Sequence, residues 1–338
     1  MATIREIAKQ ANVSIGTASF VLNGKAEQMR ISEKTQQKVL ETAKKLGYNP
    51  SLSARRLRTK GEKEVPVIAI LWTLDTRTSL ISRFMQGIQT KSLYQDGLFE
   101  LVIQPYENDK LNEVKSLHTG LRFNGAIVAN ASNKDMAYLE KADLSVPVVV
   151  YQRHSNKYGT VCVDSENTGK ELASLFISNG HKHVGMIIPN VSSEAIELRR
   201  KGFRERWSQG SEVSDIQEWF GEFSEKGGYE AALHLLHHHK EMPTALFFLS
   251  DHMAMGALAA FHQKNIRIPK DIEIIGHDNI SSTQFTLPSL STVHLPVEEM
   301  AEACVRQLLK IINHEVDTSE SIKFESYLVE RDSSLDRL

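Results

Sequence analysis

Cysteine is scarce in this chain: Cys162 and Cys304 are the only two in 338 residues, too few and too far apart for a disulfide framework. Each sits among apolar neighbours, which predicts buried free thiols and no thiolate metal centre. Long apolar runs are missing too, none approaching the roughly 20 residues that span a bilayer. The N-terminus mixes acidic and basic residues in an amphipathic helix, unlike a signal peptide, so the expected compartment is the cytoplasm. There is no Walker loop, no dinucleotide glycine fingerprint, no Gly-x-Ser-x-Gly elbow and no Cys-x-x-Cys pair. The chain therefore carries no enzyme signature, and no cofactor is expected. His237-His238-His239, with His234 one turn earlier, does not make a metal site, because adjacent helical residues point in different directions. His181-x-His183 reads as a turn between a helix and a strand.

What is present is unevenly distributed. The formal net charge is −2, but residues 1–60 hold 12 Lys/Arg against 4 Asp/Glu, a net of +8 on an acidic body. A small basic head of this kind is an electrostatic footprint for nucleic acid. Its pattern is helical. Thr3-x-x-Glu6 is a capping box leading into Ile4, Ile7 and Ala8 at helical spacing. After the break Ala11-Asn12-Val13, Ser14 can cap a second helix with Ala18, Val21 and Leu22 on one face, ending at Asn23-Gly24. Ser32 starts a third, with Val39, Leu40, Ala43 and Leu46 as its core stripe and Gly47 as its stop. Two short helices across a tight turn, closed by a third, predict a helix-turn-helix domain. Asn49-Pro50 then opens a further short helix with Arg55, Arg56 and Arg58 around Leu57. It is too short to stand alone in water, and its composition suits a DNA minor groove, with leucine as a wedge between base steps.

Residue by residue, this module resembles the LacI/GalR (lactose-repressor/galactose-repressor) family of bacterial transcription regulators. The resemblance rests on Thr3-Ile4-Arg5-Glu6-Ile7-Ala8, Asn12-Val13-Ser14, Thr17-Ala18-Ser19, Val21-Leu22-Asn23-Gly24, Leu46-Gly47-Tyr48-Asn49-Pro50 and Ala54-Arg55-Arg56-Leu57-Arg58. It implies that the second helix lies in the major groove and that the segment after Pro50 is a hinge helix formed on operator DNA. Thr3, Ser14, Thr17, Ser19 and Asn23 then face the duplex, the four after Thr3 with short polar groups suited to phosphates. Ile15, Gly16 and Phe20 are the base readers, and Ser53, Ala54, Arg55, Leu57 and Arg58 belong to the hinge. Phe20 stands where a polar reader is usual in the family. Ile15 and Phe20 can touch thymine methyls but cannot make bidentate bonds to a purine, which shifts specificity toward DNA deformation. The alternative for Phe20 is packing back on the helices.

From residue 65 the pattern changes to apolar runs, at 67–73, 99–104, 125–130, 146–152, 161–164, 184–189, 216–220, 245–250 and 272–276, separated by amphipathic helices such as 83–94, 165–179, 228–238, 252–264 and 296–313. This predicts an α/β core of parallel sheets. The resemblance extends here through Val163-Asp164, Gly180-His181, Arg199-x-x-Gly202-Phe203, Asp251-x-x-Ala254-x-Gly256, Gly276-x-Asp278 and Leu287-Pro288-x-Leu290-Ser291. It implies the two-lobed architecture of periplasmic sugar-binding proteins. The expected division is a head at 1–48, a hinge and linker at 49–64, and a core at 65–338. Lobe 1 would take about 65–155 and 293–321, and lobe 2 about 160–290 and 322–333, with crossings near 153–162, 289–294 and 320–324.

Polar residues fall just after the strands: Asp75, Asn130, Arg153, Asn190, Asp251 and Asp278. Ligands of open parallel sheets bind outside the carboxyl ends of strands, and these groups suit a polar small molecule. The resemblance singles out Arg199, Asp251 and Asp278 as effector contacts and Phe223 as a ring against the effector. Ser250 replaces a usual Asn and His277 a usual aromatic, while Trp72 closes the first strand. The expectation is a homodimeric, sequence-specific regulator, most simply a repressor, of double-stranded operator DNA. A carbohydrate-like effector between the lobes would set its affinity. A sugar-binding protein without DNA function and a two-lobed enzyme are the rivals.

Overall fold

The computed structural model of the protein describes residues 4–22, 26–46, 65–74, 79–89, 99–210, 216–238, 241–316 and 320–334. The head contains α1 (Ile4–Gln10), α2 (Ile15–Leu22) and α3 (Glu33–Lys45). Ser14 caps α2, its Oγ accepting the Thr17 amide at 2.9 Å, and Ser32 caps α3 through the Thr35 amide at 3.4 Å. Ile7, Ala8, Ala18, Val21, Val39 and Ala43 close one small core. Leu40, expected in that core, is instead 50% exposed. Val39 and Ala43 already face α1 and α2, and Leu40 lies about 100° further round the helix. The stop at Gly47 and the hinge at 49–64 lie outside the described residues.

The body alternates strands and helices as the apolar runs predict. In order these are β1 (Val67–Thr73), α4 (Ser79–Ile88), β2 (Glu100–Tyr106), β3 (Gly125–Ala129), α5 (Asn133–Lys141), β4 (Val148–Tyr151), β5 (Gly159–Val163) and α6 (Ser165–Ser178). There follow β6 (Val184–Pro189), α7 (Glu194–Trp207), β7 (Gln217–Gly221), α8 (Glu225–His238), β8 (Ala245–Phe248), α9 (Asp251–Gln263) and β9 (Glu273–Asp278). The chain closes with β10 (Ser291–His294), α10 (Val297–Ile312), β11 (Ile322–Phe324) and β12 (Tyr327–Val329). Helix α4 begins four residues before the expected 83, and its expected end at 90–94 lies outside the described residues.

Two six-stranded sheets result, ordered β11-β5-β4-β3-β1-β2 and β12-β10-β9-β8-β6-β7. Among the described residues the strand pairs are parallel except β10 with β12. Each sheet buries an apolar cluster on both faces, which is why the central strands read as continuous apolar runs. Edge strand β2 departs from this, with Val102 and Ile103 exposed.

The crossings between lobes differ from the expected positions. Strand β5 belongs to the first sheet, paired with β4 through Val150↔Thr160, and its Val161 and Val163 enter the first lobe's core. The polar turn near 154–158 therefore joins two strands of one lobe, and the chain crosses at Asp164 instead. Strand β10 belongs to the second sheet, Thr292 lying opposite Gly276, so the return crossing comes at Leu295-Pro296. Strand β11 pairs with β5 in the first sheet, and the last crossing is at Glu325-Ser326. The Asp164 amide donates to the Phe324 carbonyl at 3.1 Å, and Lys323 pairs with the Asp164 carboxylate at 2.5 Å, tying two crossings together.

Candidate DNA interface and effector cleft

Helix α2 has two faces. Ala18, Val21 and Leu22 are buried, whereas Ile15 is 53% exposed and Gly16 is exposed beside it. Phe20 is half-buried and does not join the apolar cluster of the head. The open face is thus Ile15, Gly16, Ser19 and Phe20, with the Ser14 and Thr17 hydroxyls 2.8 Å apart at its start. The helix carries no charged side chain. Such a surface can touch methyl groups and phosphates but offers no bidentate donor to a guanine. Thr3, Asn23, Ser53, Ala54, Arg55, Leu57 and Arg58 lie outside the described residues.

In the core, the strand orders reverse between β1 and β3 in one sheet and between β6 and β8 in the other. Trp72 and Asn130 lie at the ends of the first pair, and Ser250 follows the second, so the residues named from sequence sit where open sheets bind ligands. From the first lobe come Trp72, 2% exposed, and Tyr151, whose rings lie 6.4 Å apart with Phe84 edge-on to both. Arg153 is buried, its Nε donating to the Ala131 carbonyl at 2.5 Å, and Asn130 is half-buried with a φ of 58°. Asp75 lies outside the described residues. From the second lobe come Arg199 on α7, Ser250 and Asp251 at the start of α9, and His277-Asp278 at the end of β9, all buried. Phe223, 5% exposed, packs near the His252 ring, 6.3 Å between centroids.

The electrostatics of these groups follow from burial. Among the described residues Arg199 has no carboxylate within ion-pair distance, and its hydrogen bond is a long contact to the Leu249 carbonyl at 3.5 Å. Desolvation lowers its pKa to about 10, against the opposing pull of Asp278. Burial pushes the Asp278 carboxyl up to about 6 although Arg199 favours its charge. His277 is held neutral, first by burial and then by the Arg199 and Arg83 cations. Its Nδ1–H donates to Asp278 Oδ1 at 2.9 Å, which leaves the Nε2 lone pair free. Among the described residues, six buried polar atoms here have no partner: Trp72 Nε1, Tyr151 Oη, Arg199 Nε, Ser250 Oγ, His277 Nε2 and Asp278 Oδ2. Asp251 differs from them. Its two oxygens accept the Thr292 hydroxyl at 2.6 Å and the Ile280 amide at 3.0 Å, so it braces the end of β9 from within.

Sequence reasoning missed Tyr151, which reads as one more apolar residue of a strand, and Arg83, which reads as one of many cations on an amphipathic helix. A separate cavity of about 370 Å³ opens at the hinge between His154, Asp164, Ser165, Asn167, Lys170 and Lys323. Its lysines are already paired with Asp164 and Glu166, so it offers no uncompensated charge.

Comparison with known proteins places this geometry. Residues 3–51 match the profile described as bacterial regulatory proteins, lacI family, and residues 173–334 match a periplasmic binding protein-like domain. The chain is 30% identical over 338 residues to the HTH-type transcriptional repressor PurR of Mannheimia succiniciproducens, covering 98% of both proteins. The chain belongs to the LacI/GalR family of bacterial transcription regulators. A LacI family transcription regulator from Clostridium acetobutylicum superposes with a TM-score of 0.74 at 35% identity, over 79% of this chain and 99% of that one. The lac repressor dimer bound to operator and the anti-inducer ONPF shares the fold, with a TM-score of 0.72 at 22% identity over 99% of each chain. As a LacI/GalR member the chain is a DNA-binding regulator with a helix-turn-helix head on a two-lobed core. Among the described residues no helix is long and apolar enough to cross a membrane, and no group of three metal-ligating side chains converges.

Proposed function

We propose that this regulator acts in the cytoplasm as a homodimeric repressor whose operator affinity is set by a small polar metabolite held between the lobes. The observation that carries the effector part is the set of six unpartnered buried polar atoms at the ends of both sheets. Each such atom costs about 1–3 kcal/mol when left unsatisfied, and a ligand with hydroxyl, carbonyl or amide groups would satisfy several at once. Donors and acceptors are mixed: the indole and guanidinium N–H groups donate, Asp278 Oδ2 and His277 Nε2 accept, and the Ser and Tyr hydroxyls do either. That mixture fits a carbohydrate-like molecule, and Phe223 and Trp72 supply apolar faces for its ring. Asn130, Arg153 and Arg199 complete the candidate contacts.

The DNA part rests on the +8 head and on the uncharged exposed face of α2. Duplex would be gripped through phosphates and read mainly through shape and methyl contact, with Leu57 as the wedge. A two-fold dimer would read a pseudo-palindrome. One experiment tests both halves. An operator is selected from a random duplex library with the full-length protein. Its affinity is then measured across a salt series, with and without sugars, sugar phosphates and nucleosides that shift the melting temperature. A steep salt dependence and a ligand-dependent change in affinity are expected. A protein that selects no sequence, or a ligand that stabilises it without altering DNA affinity, would sink the reading.

A further inference from the structure

Among the described residues, the Arg83 guanidinium joins the two lobes. Arg83 projects from α4 in the first lobe, and its side chain is only 13% exposed. Nε and Nη2 donate to the two oxygens of Glu298 at 2.7 and 2.6 Å, a bidentate fork onto the first turn of α10. Nη2 also donates to the Leu295 carbonyl at the return crossing, at 2.8 Å. Nη1 reaches into the second lobe and donates to the backbone carbonyl of Asp278 at 2.6 Å. The fork has a rigid mount, because a Cβ at Gly87 would lie 2.1 Å from the Glu298 carbonyl oxygen: α4 and α10 touch backbone to backbone.

The residue it holds is strained. Asp278 has a φ of 117°, a region that non-glycine residues avoid, and surrounding structure must hold it there. Around it, Arg331 donates to the Asn279 side-chain carbonyl at 2.8 Å and Thr292 accepts the Asn279 amide at 3.3 Å. Arg83 is the member of this set that comes from the other lobe. A group that fixes the Asp278 peptide also fixes where its free Oδ2 points.

We propose that Arg83 is a positioning residue and latch, holding the strained Asp278 peptide in place and transmitting its position to the α4–α10 pair of the first lobe. Relative motion of the lobes must break or remake the Arg83–Asp278 bond, whereas the Arg83–Glu298 fork moves with the first lobe as one body. The inference deepens the effector reading, since it names the side chain through which a ligand on Asp278 would be felt outside the cleft. Its test needs no ligand, so the two can fail separately.

The test uses the full chain carrying nitroxides at Asn112→Cys in lobe 1 and Lys264→Cys in lobe 2, both exposed, with labelled subunits diluted into unlabelled ones. Pulsed electron–electron distances are compared among the Arg83 parent, Arg83→Met, Arg83→Lys and Glu298→Gln. Losing a charge-assisted bond between the lobes should raise the minor, separated population about tenfold in Arg83→Met. Arg83→Lys keeps the charge but lacks the planar fork that spans Glu298, Leu295 and Asp278 together, and should fall between. The second readout is the ¹⁵N signal of the His277 ring, bonded to Asp278 in the opposite lobe. It should shift in Arg83→Met if the Asp278 peptide relaxes. Lower melting temperature with an unchanged distance distribution and an unchanged His277 signal would overturn the proposal, since a mere brace between α4 and α10 predicts that result. Should Arg83→Met fail to fold, Glu298→Gln carries the same two readouts, and no change in either would overturn the proposal equally.

Discussion

Asp251 allows a pH experiment whose sign and size both follow from the structure. The carboxyl is wholly buried at the first residue of α9. Gly276 makes the room for it, since a methyl group there would lie 2.2 Å from Oδ1. Burial, seconded by the charge of Asp278, pushes its pKa up to about 7, while its bonds from Thr292 and Ile280 pull the other way. In the unfolded chain an aspartate titrates near 4. Between about pH 4 and 7 the native protein therefore binds more protons than the unfolded chain, so stability falls as pH rises. This is the reverse of an ion-paired aspartate, whose stabilisation is lost on acidification. Three pH units at about 1.4 kcal/mol each set an upper bound of roughly 4 kcal/mol.

Asp251→Asn removes that contribution and leaves in place Asp278, which titrates in the same direction. The amide keeps the volume of the carboxyl. Its oxygen can accept the Ile280 N–H and its NH2 can donate to Thr292, whose hydroxyl turns to accept. At pH 5 the variant should match the parent or be slightly weaker. By pH 8 it should be the more stable by about 2 kcal/mol, within the roughly 2.7 kcal/mol that the two units between pH 5 and 7 allow. Urea midpoints followed by the fluorescence of Trp207 and Trp219, both buried in the second lobe, report the difference at half-unit pH steps. Parallel pH profiles for parent and variant would refute the reasoning, because they would mean that Asp251 is not protonated in the folded state near neutrality.

Other perturbations test other links. Gly202→Ala puts a methyl 2.0 Å from the Glu166 carbonyl where α6 and α7 cross; the expected loss is about 1–3 kcal/mol in calorimetric stability, and no loss would contradict the close crossing. Arg199→Met should keep the parent's melting temperature within a few degrees, or raise it, because it removes an unpaired buried cation. It should also abolish any melting shift produced by a metabolite that stabilises the parent. Phe20→Ala should lower affinity for the selected operator about fivefold, roughly 1 kcal/mol, with little change on random duplex; equal affinity would mean the ring packs away from DNA. Leu57→Ala should weaken selected-operator binding more than random-duplex binding in the same anisotropy titrations, and equal losses would count against the wedge.

Why the core is legible in the sequence and its crossings are not is a matter of how the signals are encoded. β1 and β6 match their apolar runs residue for residue, because a strand buried on both faces leaves a continuous run in the sequence. The caps at Ser14 and Ser32 are equally local, one side chain answering the amide three residues on. The lobe boundary expected near 153–162 is displaced because a polar turn looks the same whether it joins two strands of one sheet or two sheets. Deciding between them needs the pairing of β5 with β4. β11 and β12 escape detection as strands because three-residue segments with half-exposed side chains carry no periodicity. Leu40 reads as core since the spacing from Val39 to Ala43 leaves the stripe's edge undefined. Asn130, Arg153 and Asp278 can be named in advance from their place after apolar runs, whereas Ser250 is singled out only by the family resemblance. The fact that sets Asp251 apart, two oxygens already engaged, depends on Thr292 and Ile280, which are distant in sequence.

The same distinction bears on how such a core can respond to a ligand. A coupling is worth only the difference in ligand affinity between two arrangements of the lobes, so the groups that matter are those whose partners change with arrangement. Asp251, with both partners inside the second lobe, keeps those bonds in either arrangement. Asp278 is different: its Oδ2 is buried without a partner, while its carbonyl is held by a guanidinium mounted on the first lobe. If Arg83 acts as the proposed latch, a ligand that shifts the Asp278 main chain, already at a φ of 117°, also stretches the bond from Arg83. On the latch proposal, closure and ligand contact would compete for, or cooperate at, this one residue, and that choice would set whether the metabolite releases the operator or holds the protein to it.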